Sequence, residues 1–140
     1  MNVRFDSELA LKASPDEPDF FVYDNQRFFP IDGLGFGNEG NLHNYHFTLE
    51  GKLTFKYTGG ERFSFTGDDD MWVFINRRLA INLGGLHQPQ SASVLLDEHA
   101  DELGIVHGET YPIQIFFAER HTVQSTFRLE TSVADQGSCP

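Results

Sequence analysis

Alternation of apolar and polar residues over long stretches is the feature that most constrains how this chain folds. Between Asn44 and Tyr57 nearly every second residue is Tyr, Phe or Leu, whereas Lys52, Thr54 and Lys56 lie between them. Successive side chains of a strand point to opposite faces of its sheet. This period therefore predicts a half-buried strand with one solvated face.

Further segments continue this pattern and bring the predicted number of strands to about eight. They cover residues 63–65, the doubly apolar segment 71–75, and residues 79–83, 91–96, 111–117 and 127–129. The 14 Phe and 13 Gly also favour sheet over helix. Turn residues separate the segments, so the chain is predicted to be all-β, an antiparallel sandwich or barrel.

Three connections between these strands have recognisable signals. Residues 76–78 are predicted to form the turn of a hairpin. Residues 97–103 are predicted to form one short helix, with Asp97 as N-cap and Gly104 as its end. The glycine-rich run 33–37 has no strand before it and no helix after it, so it is interpreted as a loop rather than a dinucleotide-binding turn.

The length and the net charge limit the classes of protein to which this chain can belong. The chain has 140 residues, and its 10 Lys and Arg against 21 Asp and Glu give a net charge of −11. We expect one domain over residues 1–140, with residues 1–19 as an irregular lead-in. The charge argues against nucleic acid and anionic membranes as partners. No apolar run approaches the about 20 residues of a membrane helix, so no membrane insertion is expected. Cys139 has no second cysteine to pair with.

A run of acidic residues is the sharpest chemical signal. Asp68, Asp69 and Asp70 lie together between two predicted strands, and adjacent carboxylates repel one another unless a cation lies among them. Ca²⁺ takes about 6–8 oxygen ligands and fits such a turn; a solvated acidic turn is the alternative. Neighbouring side chains of an extended strand point apart. A cis peptide between Asp68 and Asp69 is therefore predicted, because it would turn both carboxylates to one ion.

Other polar residues give weaker signals. His43 and His46 are three residues apart, so a strand would place them on opposite faces and prevent joint metal binding. A structural hydrogen-bonding role is predicted for His87 and His121. The sequence has no zinc-protease, serine-hydrolase, Walker or EF-hand motif. Glu119 and the acidic run could form a glycosidase pair of carboxylates, although nothing in the sequence fixes their separation.

Several short motifs follow one another along the chain. They are FFPIDG at 28–33, GFG at 35–37, HNYHFT at 43–48, GDDDMWVFIN at 67–76, LGGLH at 83–87 and FAERHT at 117–122. In this order the motifs resemble the fibro-slime domain. Fibro-slime domains are similar to the lectin-like group named after the anthrax protective antigen. That group resembles the sugar-binding heads of fungal flocculins and of large bacterial adhesins.

The resemblance implies a lectin-like, two-sheet β-sandwich with long loops, carrying a Ca²⁺-dependent carbohydrate site. Asp68 and Asp69 would hold the ion through a cis peptide. The loop 120–126 would complete the coordination, with Thr122 and Gln124 as candidate metal ligands. Two adjacent sugar hydroxyls would then fill the open positions of the ion.

The same resemblance implies a set of ligand-contacting residues. They are Asp68, Asp69, His87, His121, Gln124 and Ser125. The sequence departs from the family pattern at Arg77, at Asn82 and at Val123-Gln124. The second loop is therefore expected to bind either through the Gln124 side-chain oxygen or through backbone carbonyls.

These observations predict a binding module rather than an enzyme. We expect a calcium-dependent carbohydrate-binding domain of a secreted or cell-surface adhesin, excised from a larger multidomain protein, with low affinity for glycans at each site. A calcium-stabilised spacer in an extracellular matrix protein is the first alternative. A polysaccharide-active enzyme is the second, and it is disfavoured because no catalytic constellation is recognisable.

Overall fold

The computed structural model describes residues 2–85, 88–120 and 122–133, which form two antiparallel sheets and one short helix. The elements in chain order are β1 (Lys12–Ala13), β2 (Phe21–Asn25), β3 (Phe47–Lys56), β4 (Arg62–Gly67), β5 (Asp70–Ile75), β6 (Arg78–Leu83), β7 (Gln90–Leu95), α1 (Leu96–Leu103), β8 (Thr110–Glu119) and β9 (Phe127–Thr131). One sheet has the order β1-β2-β9-β4-β7 and the other β3-β8-β5-β6. The all-β, two-sheet prediction with one short helix is confirmed.

The core is formed by the inward faces of the two sheets, as the alternation requires. The pattern between Asn44 and Tyr57 becomes one strand of 10 residues, β3, in which Phe47 and Phe55 are buried and Lys56 is exposed. Phe residues dominate the interior and meet mainly edge to face. They include Phe28, Phe47, Phe55, Phe63, Phe65, Phe117 and Phe127.

The turn and helix signals are borne out with one correction. Asn76 and Arg77 connect β5 to β6 with φ values of 49° and 62°, the positive values that a two-residue hairpin turn needs. Gly104 ends α1 in the left-handed region. The prediction that Asp97 is the N-cap is wrong, because α1 begins one residue earlier and Leu95 occupies the cap position.

The lead-in is less irregular than expected. Lys12 and Ala13 pair with Val22 and Phe21 as a short edge strand, so the prediction of an irregular segment over 1–19 is wrong at these two positions. The pairing supplies hydrogen-bond partners to the edge of β2, whose backbone groups would otherwise rely on water.

The chain changes sheet immediately after β4. β4 pairs with β7 and β9, whereas β5 pairs with β6 and β8. The turn at Asp68 and Asp69 therefore links the two layers at one end of the sandwich, here called the triplet end. The start of β4 and α1 lie at the opposite end, the helix end, where β2 begins and β9 ends, with Phe21 paired to Thr131.

Candidate functional site

The three consecutive aspartates, here called the triplet, are buried. Asp68 and Asp69 form the turn and Asp70 is the first residue of β5. Their exposed fractions are 5%, 4% and 5%. Carboxylates are rarely buried to this degree unless they are paired or coordinate a metal, so the partners of the triplet decide what this turn does.

Asp68 and Asp69 both bind the loop 120–126. The Thr126 N–H donates to the Asp68 carboxylate, while the Asp68 N–H donates to the Thr126 carbonyl oxygen over 3.4 Å. The Arg120 N–H donates to Asp69 Oδ2 over 2.8 Å. The two carboxylates thus hold the two ends of one loop.

The predicted cis peptide is wrong, because the Asp68–Asp69 bond is trans. The prediction assumed an extended backbone, in which neighbouring side chains diverge. Asp69 instead has a φ of 51°, in the left-handed region. Asp is among the residues that tolerate this conformation, and the resulting bend lets both carboxylates reach the same loop without a cis bond.

Asp70 connects a third segment to this end. Its Oδ1 accepts the Gly85 N–H over 2.6 Å, and its Oδ2 lies 2.5 Å from the Arg120 Nε. The triplet therefore fastens the loop after β6 and both ends of the loop before β9. The acidic run in the sequence indicates a site at Asp68 and Asp69 but indicates no ion-pair partner for Asp70 or Arg120.

A glycine permits the close approach of these segments. A Cβ added at Gly67 would lie 3.1 Å from the Thr126 carbonyl oxygen and 3.1 Å from the Met71 methyl group. Such distances are too short for most side chains to be accommodated without movement. Gly67 thus allows the end of β4 to lie directly against the loop 120–126.

Glu119 adds a fourth buried carboxyl group at the triplet end. Its exposed fraction is 1%, and it shares the inward face of β8 with Ile113, Ile115 and Phe117. It is followed directly by Arg120, whose side chain is 52% exposed. Four acidic side chains are thus buried at this end, and the half-exposed Arg120 guanidinium pairs with one of them, Asp70.

The second predicted loop is divided between surface and interior. Thr122 and Gln124, the candidate metal ligands, are exposed, and the Gln124 Nε2 donates to Thr126 Oγ1 over 3.1 Å. Ser125 is fully buried, and within the described residues its hydroxyl has no hydrogen-bond partner. The predicted ligand-contacting residues His87 and His121 lie outside the described residues.

The donor types fit a hard cation, although a complete ligand set is not assembled. Carboxylate oxygens are what Ca²⁺ prefers, and Asp68 and Asp69 present theirs toward one loop. Across residues 2–85, 88–120 and 122–133, no three His, Cys, Asp or Glu side chains converge in a way that could hold a metal. Any ion at this end would need further oxygens from backbone carbonyls, water or the ligand.

Of two further contributing residues, one has a detectable signal in the sequence and one does not. Glu119 follows the alternation Ile113, Ile115, Phe117, which places it on the inward face. The anchoring role of Thr126 had no such signal, because it depends on a hydrogen bond to Asp68, 58 residues earlier in the chain.

Comparison with known proteins supports the wider resemblance. A family model described as the PA14 domain matches residues 7–140. The protein psiR of Dictyostelium discoideum is 41% identical over 100% of this chain, psiC is 44% identical over 90%, and psiE is 46% identical over 81%. The match confirms the resemblance to the anthrax protective-antigen-type group, and the fibro-slime assignment stays a prediction.

The same relatives are much longer than this chain, which spans 15% of psiR, 25% of psiC and 24% of psiE. A solved structure titled as the PA14 domain of the MpAFP antifreeze protein aligns with a TM-score of 0.46 and 13% identity. That alignment covers 90% of this chain and 71% of the other. No helix among the described residues has the length and apolar character needed to cross a membrane.

Proposed function

The chain belongs to the PA14 domain family, and from that premise we propose that it is a calcium-dependent carbohydrate-binding module. Asp68 and Asp69 hold the ion together with oxygens of the loop 120–126. Two adjacent hydroxyl groups of a sugar complete the coordination. The module serves a larger adhesin at the cell surface or outside the cell.

The burial of the triplet carries this proposal. Asp68, Asp69 and Asp70 are each at most 5% exposed, and the Arg120 guanidinium forms an ion pair with Asp70. Burial of several like charges is unfavourable without a compensating cation. A divalent ion at the turn would offset this cost, and Ca²⁺ suits carboxylate oxygens from a flexible loop.

The placement of the triplet end also favours ligand capture. Thr122, Val123 and Gln124 are exposed beside it, with Val123 72% exposed. Exposed side chains at this position are open to a ligand from solution.

A calorimetric titration tests the ion site. Wild-type protein is expected to bind Ca²⁺, and Asp69→Asn to lose binding, because an amide is a much poorer ligand than a carboxylate. Glu61→Gln, at the helix end, is the matched control and should bind like wild type. Binding should fade below about pH 5, since the carboxylates must be ionised. Wild-type affinity in Asp69→Asn would refute the site.

A sugar panel with and without EDTA tests the glycan step. Fucose, mannose and glucose are expected to bind weakly, around the millimolar level that corresponds to about −4 kcal/mol. EDTA should abolish this binding. Many copies in one adhesin would then supply avidity. Calcium binding without any sugar binding would favour the structural-spacer alternative.

One observation favours the structural-spacer alternative. The triplet carboxylates accept N–H groups from Thr126, Arg120 and Gly85, which is what a purely structural clamp between loops would do. Spacer and lectin differ in whether the bound ion keeps positions open to sugar, and the panel separates them.

A further inference from the structure

A pocket beside the loop 120–126 has the chemistry of a second ligand site. It has a volume of about 170 Å³ and lies between the end of β2, the segment before β3 and the loop before β9. Its lining consists of Gln26, Arg27, Phe29, Leu42, His43, Tyr45, Val123, Gln124 and Ser125. None of these residues belongs to the triplet.

The aromatic wall of the pocket is rigidly built. The rings of Phe29 and His43 stack with centroids 3.9 Å apart and planes at 1°, and Tyr45 meets Phe29 edge to face at 5.1 Å. His43 is fixed from behind, since its Nδ1 lies 2.5 Å from Asp32 Oδ2. The inner faces of this stacked pair cover each other, and an outer face is left to pack against the C–H face of a pyranose.

Arg27 supplies a positive charge at the pocket. Its Nη2 lies 3.3 Å from His43 Nε2, and no ion pair among the described residues includes it. Arg27 is exposed, in a chain of net charge −11. Most of the arginines pair with carboxylates, so a guanidinium without one at a pocket mouth favours an anionic ligand.

The hydrogen bonds define the state of His43. Arg27 can only donate, so His43 Nε2 accepts from it and Nδ1 carries the proton that is donated to Asp32. Burial would raise the pKa of Asp32. The hydrogen bonds from His43 and the Asn44 N–H, with the charges of His43 and Arg27, instead hold that pKa below its ordinary value. Asp32 therefore stays ionised and holds the imidazole in place.

The remaining lining adds groups that suit sugar hydroxyls. Gln26 and Gln124 offer amides that both donate and accept. Leu42 and Val123 form an exposed apolar rim, 79% and 72% exposed respectively. Apolar walls with a few polar groups and one charge are the usual composition of a small-molecule pocket.

We propose that this pocket binds a pyranose that carries one acidic group, a carboxylate or a sulfate. The acidic group contacts Arg27 and the sugar ring packs against the outer side of the stacked Phe29–His43 pair. The sugar identity of the ligand rests on the proposed function, whereas binding at this pocket requires no calcium. It would give the module a preference for acidic glycans.

Nuclear magnetic resonance titrations of the whole chain in EDTA test the proposal. The probes are glucuronate, glucose 6-sulfate, glucose and acetate. Glucuronate or the sulfate is expected to shift amide signals of residues 26–29 and 42–45 with millimolar affinity, and to bind at least about tenfold more tightly than glucose or acetate. Higher ionic strength should weaken the binding, because Arg27 is exposed.

Two variant pairs identify the group responsible. Arg27→Gln should weaken binding of the acidic sugar about tenfold, while Arg77→Gln, which removes the same charge at the hairpin turn, should not. Leu42→Glu should weaken it as well, by placing a negative charge on the exposed rim, and Val106→Glu should not. Leu42 and Val106 are both mostly exposed, so neither change threatens the fold.

Several outcomes would overturn the proposal. Equal affinity for glucose and glucuronate would show that the pocket does not recognise the acidic group. Equal affinity for acetate and glucuronate would show that it does not recognise the sugar ring. Binding that appears only with calcium assigns the ligand to the triplet end. An absence of any shift in EDTA rejects the pocket while leaving the calcium proposal to its own test.

Discussion

Both ends of β4 have buried carboxylates, but the hydrogen-bond donors to these carboxylates come from different parts of the chain. At the helix end, Glu61 accepts from the Thr58 N–H at 2.7 Å, the Thr58 hydroxyl at 2.6 Å and the Gly59 N–H at 2.9 Å. These donors lie within three residues of it. At the triplet end, Asp68 and Asp69 take donors from residues 58 and 51 positions away.

The difference separates a closed local turn from a clamp between distant loops. The donors to Glu61 are supplied by the turn itself, so nothing further is needed to satisfy it. The triplet carries like charges in sequence and relies on other loops to satisfy them, so its state depends on where those loops lie. We expect ligand sensitivity at the triplet end and none at the helix end.

The largest expected effect is stabilisation by calcium that depends on one end only. Calcium at 100 times its dissociation constant should raise the free energy of unfolding of the wild type by about 2.7 kcal/mol. Asp69→Asn should lose this gain and Glu61→Gln should keep it. Denaturant unfolding with calcium or with EDTA measures the effect. An equal gain from calcium in both variants would contradict the expectation that only the triplet end responds to the ion.

The next effect is structural and confined to the helix end. Glu61→Ala should lower the free energy of unfolding by about 1–3 kcal/mol, because it leaves buried N–H groups of the turn without an acceptor. Calcium and sugar affinity should not change. Glu61→Gln, which keeps an oxygen acceptor, should cost less. Altered calcium affinity in Glu61→Ala would show that the two ends are coupled.

A smaller effect concerns Tyr57, also at the helix end. Its hydroxyl donates to Asp97 Oδ1 over 2.8 Å. This hydrogen bond, with burial and the charges of Asp97 and Glu61, raises the pKa of Tyr57 from 10.0 to about 12. Because the folded-state pKa is the higher one, the stabilisation is complete below pH 10 and is lost as the pH rises through about 12.

Tyr57→Phe should therefore lower stability by about 1 kcal/mol at neutral pH. Its deficit relative to the wild type should shrink as the pH approaches 12. Ultraviolet difference titration of the two proteins should assign the late-titrating phenol to Tyr57. A deficit that stays constant up to that pH would contradict the hydrogen bond to Asp97.

The smallest effect is expected at Arg120. Its ion pair joins a buried Asp70 carboxylate to a half-exposed guanidinium. Because water can take the place of that guanidinium, the pair is expected to contribute about 0–1 kcal/mol, as exposed pairs do. Arg120→Ala should therefore reduce stability by less than about 1 kcal/mol, since Asp70 keeps the Gly85 N–H and Asp69 keeps the backbone N–H at position 120. Chemical unfolding in EDTA measures it. A larger loss would show that the guanidinium, rather than the backbone, holds this loop.

The sequence predicts those structural features that depend only on residues close together in the chain. The alternation around Phe47 and Phe55 is a property of the strand itself, and the positive φ values at Asn76 and Arg77 belong to a two-residue turn. Both were accessible without knowing the rest of the fold. The burial of Glu119 could be inferred in the same way, from its position in the alternation of β8.

Features that depend on distant partners were not accessible. Asp97 has the sequence character of an N-cap, yet its carboxylate binds Tyr57 and Gly60, 40 and 37 residues away. The bend at Asp69 likewise becomes favourable only because Arg120 and Thr126 lie opposite it. In both places hydrogen bonds to distant residues outweigh a local preference, for an N-cap at Asp97 and for an extended backbone at Asp69.

The passage of the chain between sheets after β4 has a kinetic consequence. Because consecutive strands seldom pair, most ladders join distant segments; Asp24 of β2 and Arg128 of β9, for example, are 104 positions apart. Folds of this kind mature in milliseconds to seconds, whereas the β5–β6 hairpin can form in about 1–10 μs. On a ribosome adding about 5–20 residues per second, β2 waits several seconds for β9, and until then the edge of β2 that will pair with β9 is open to other chains.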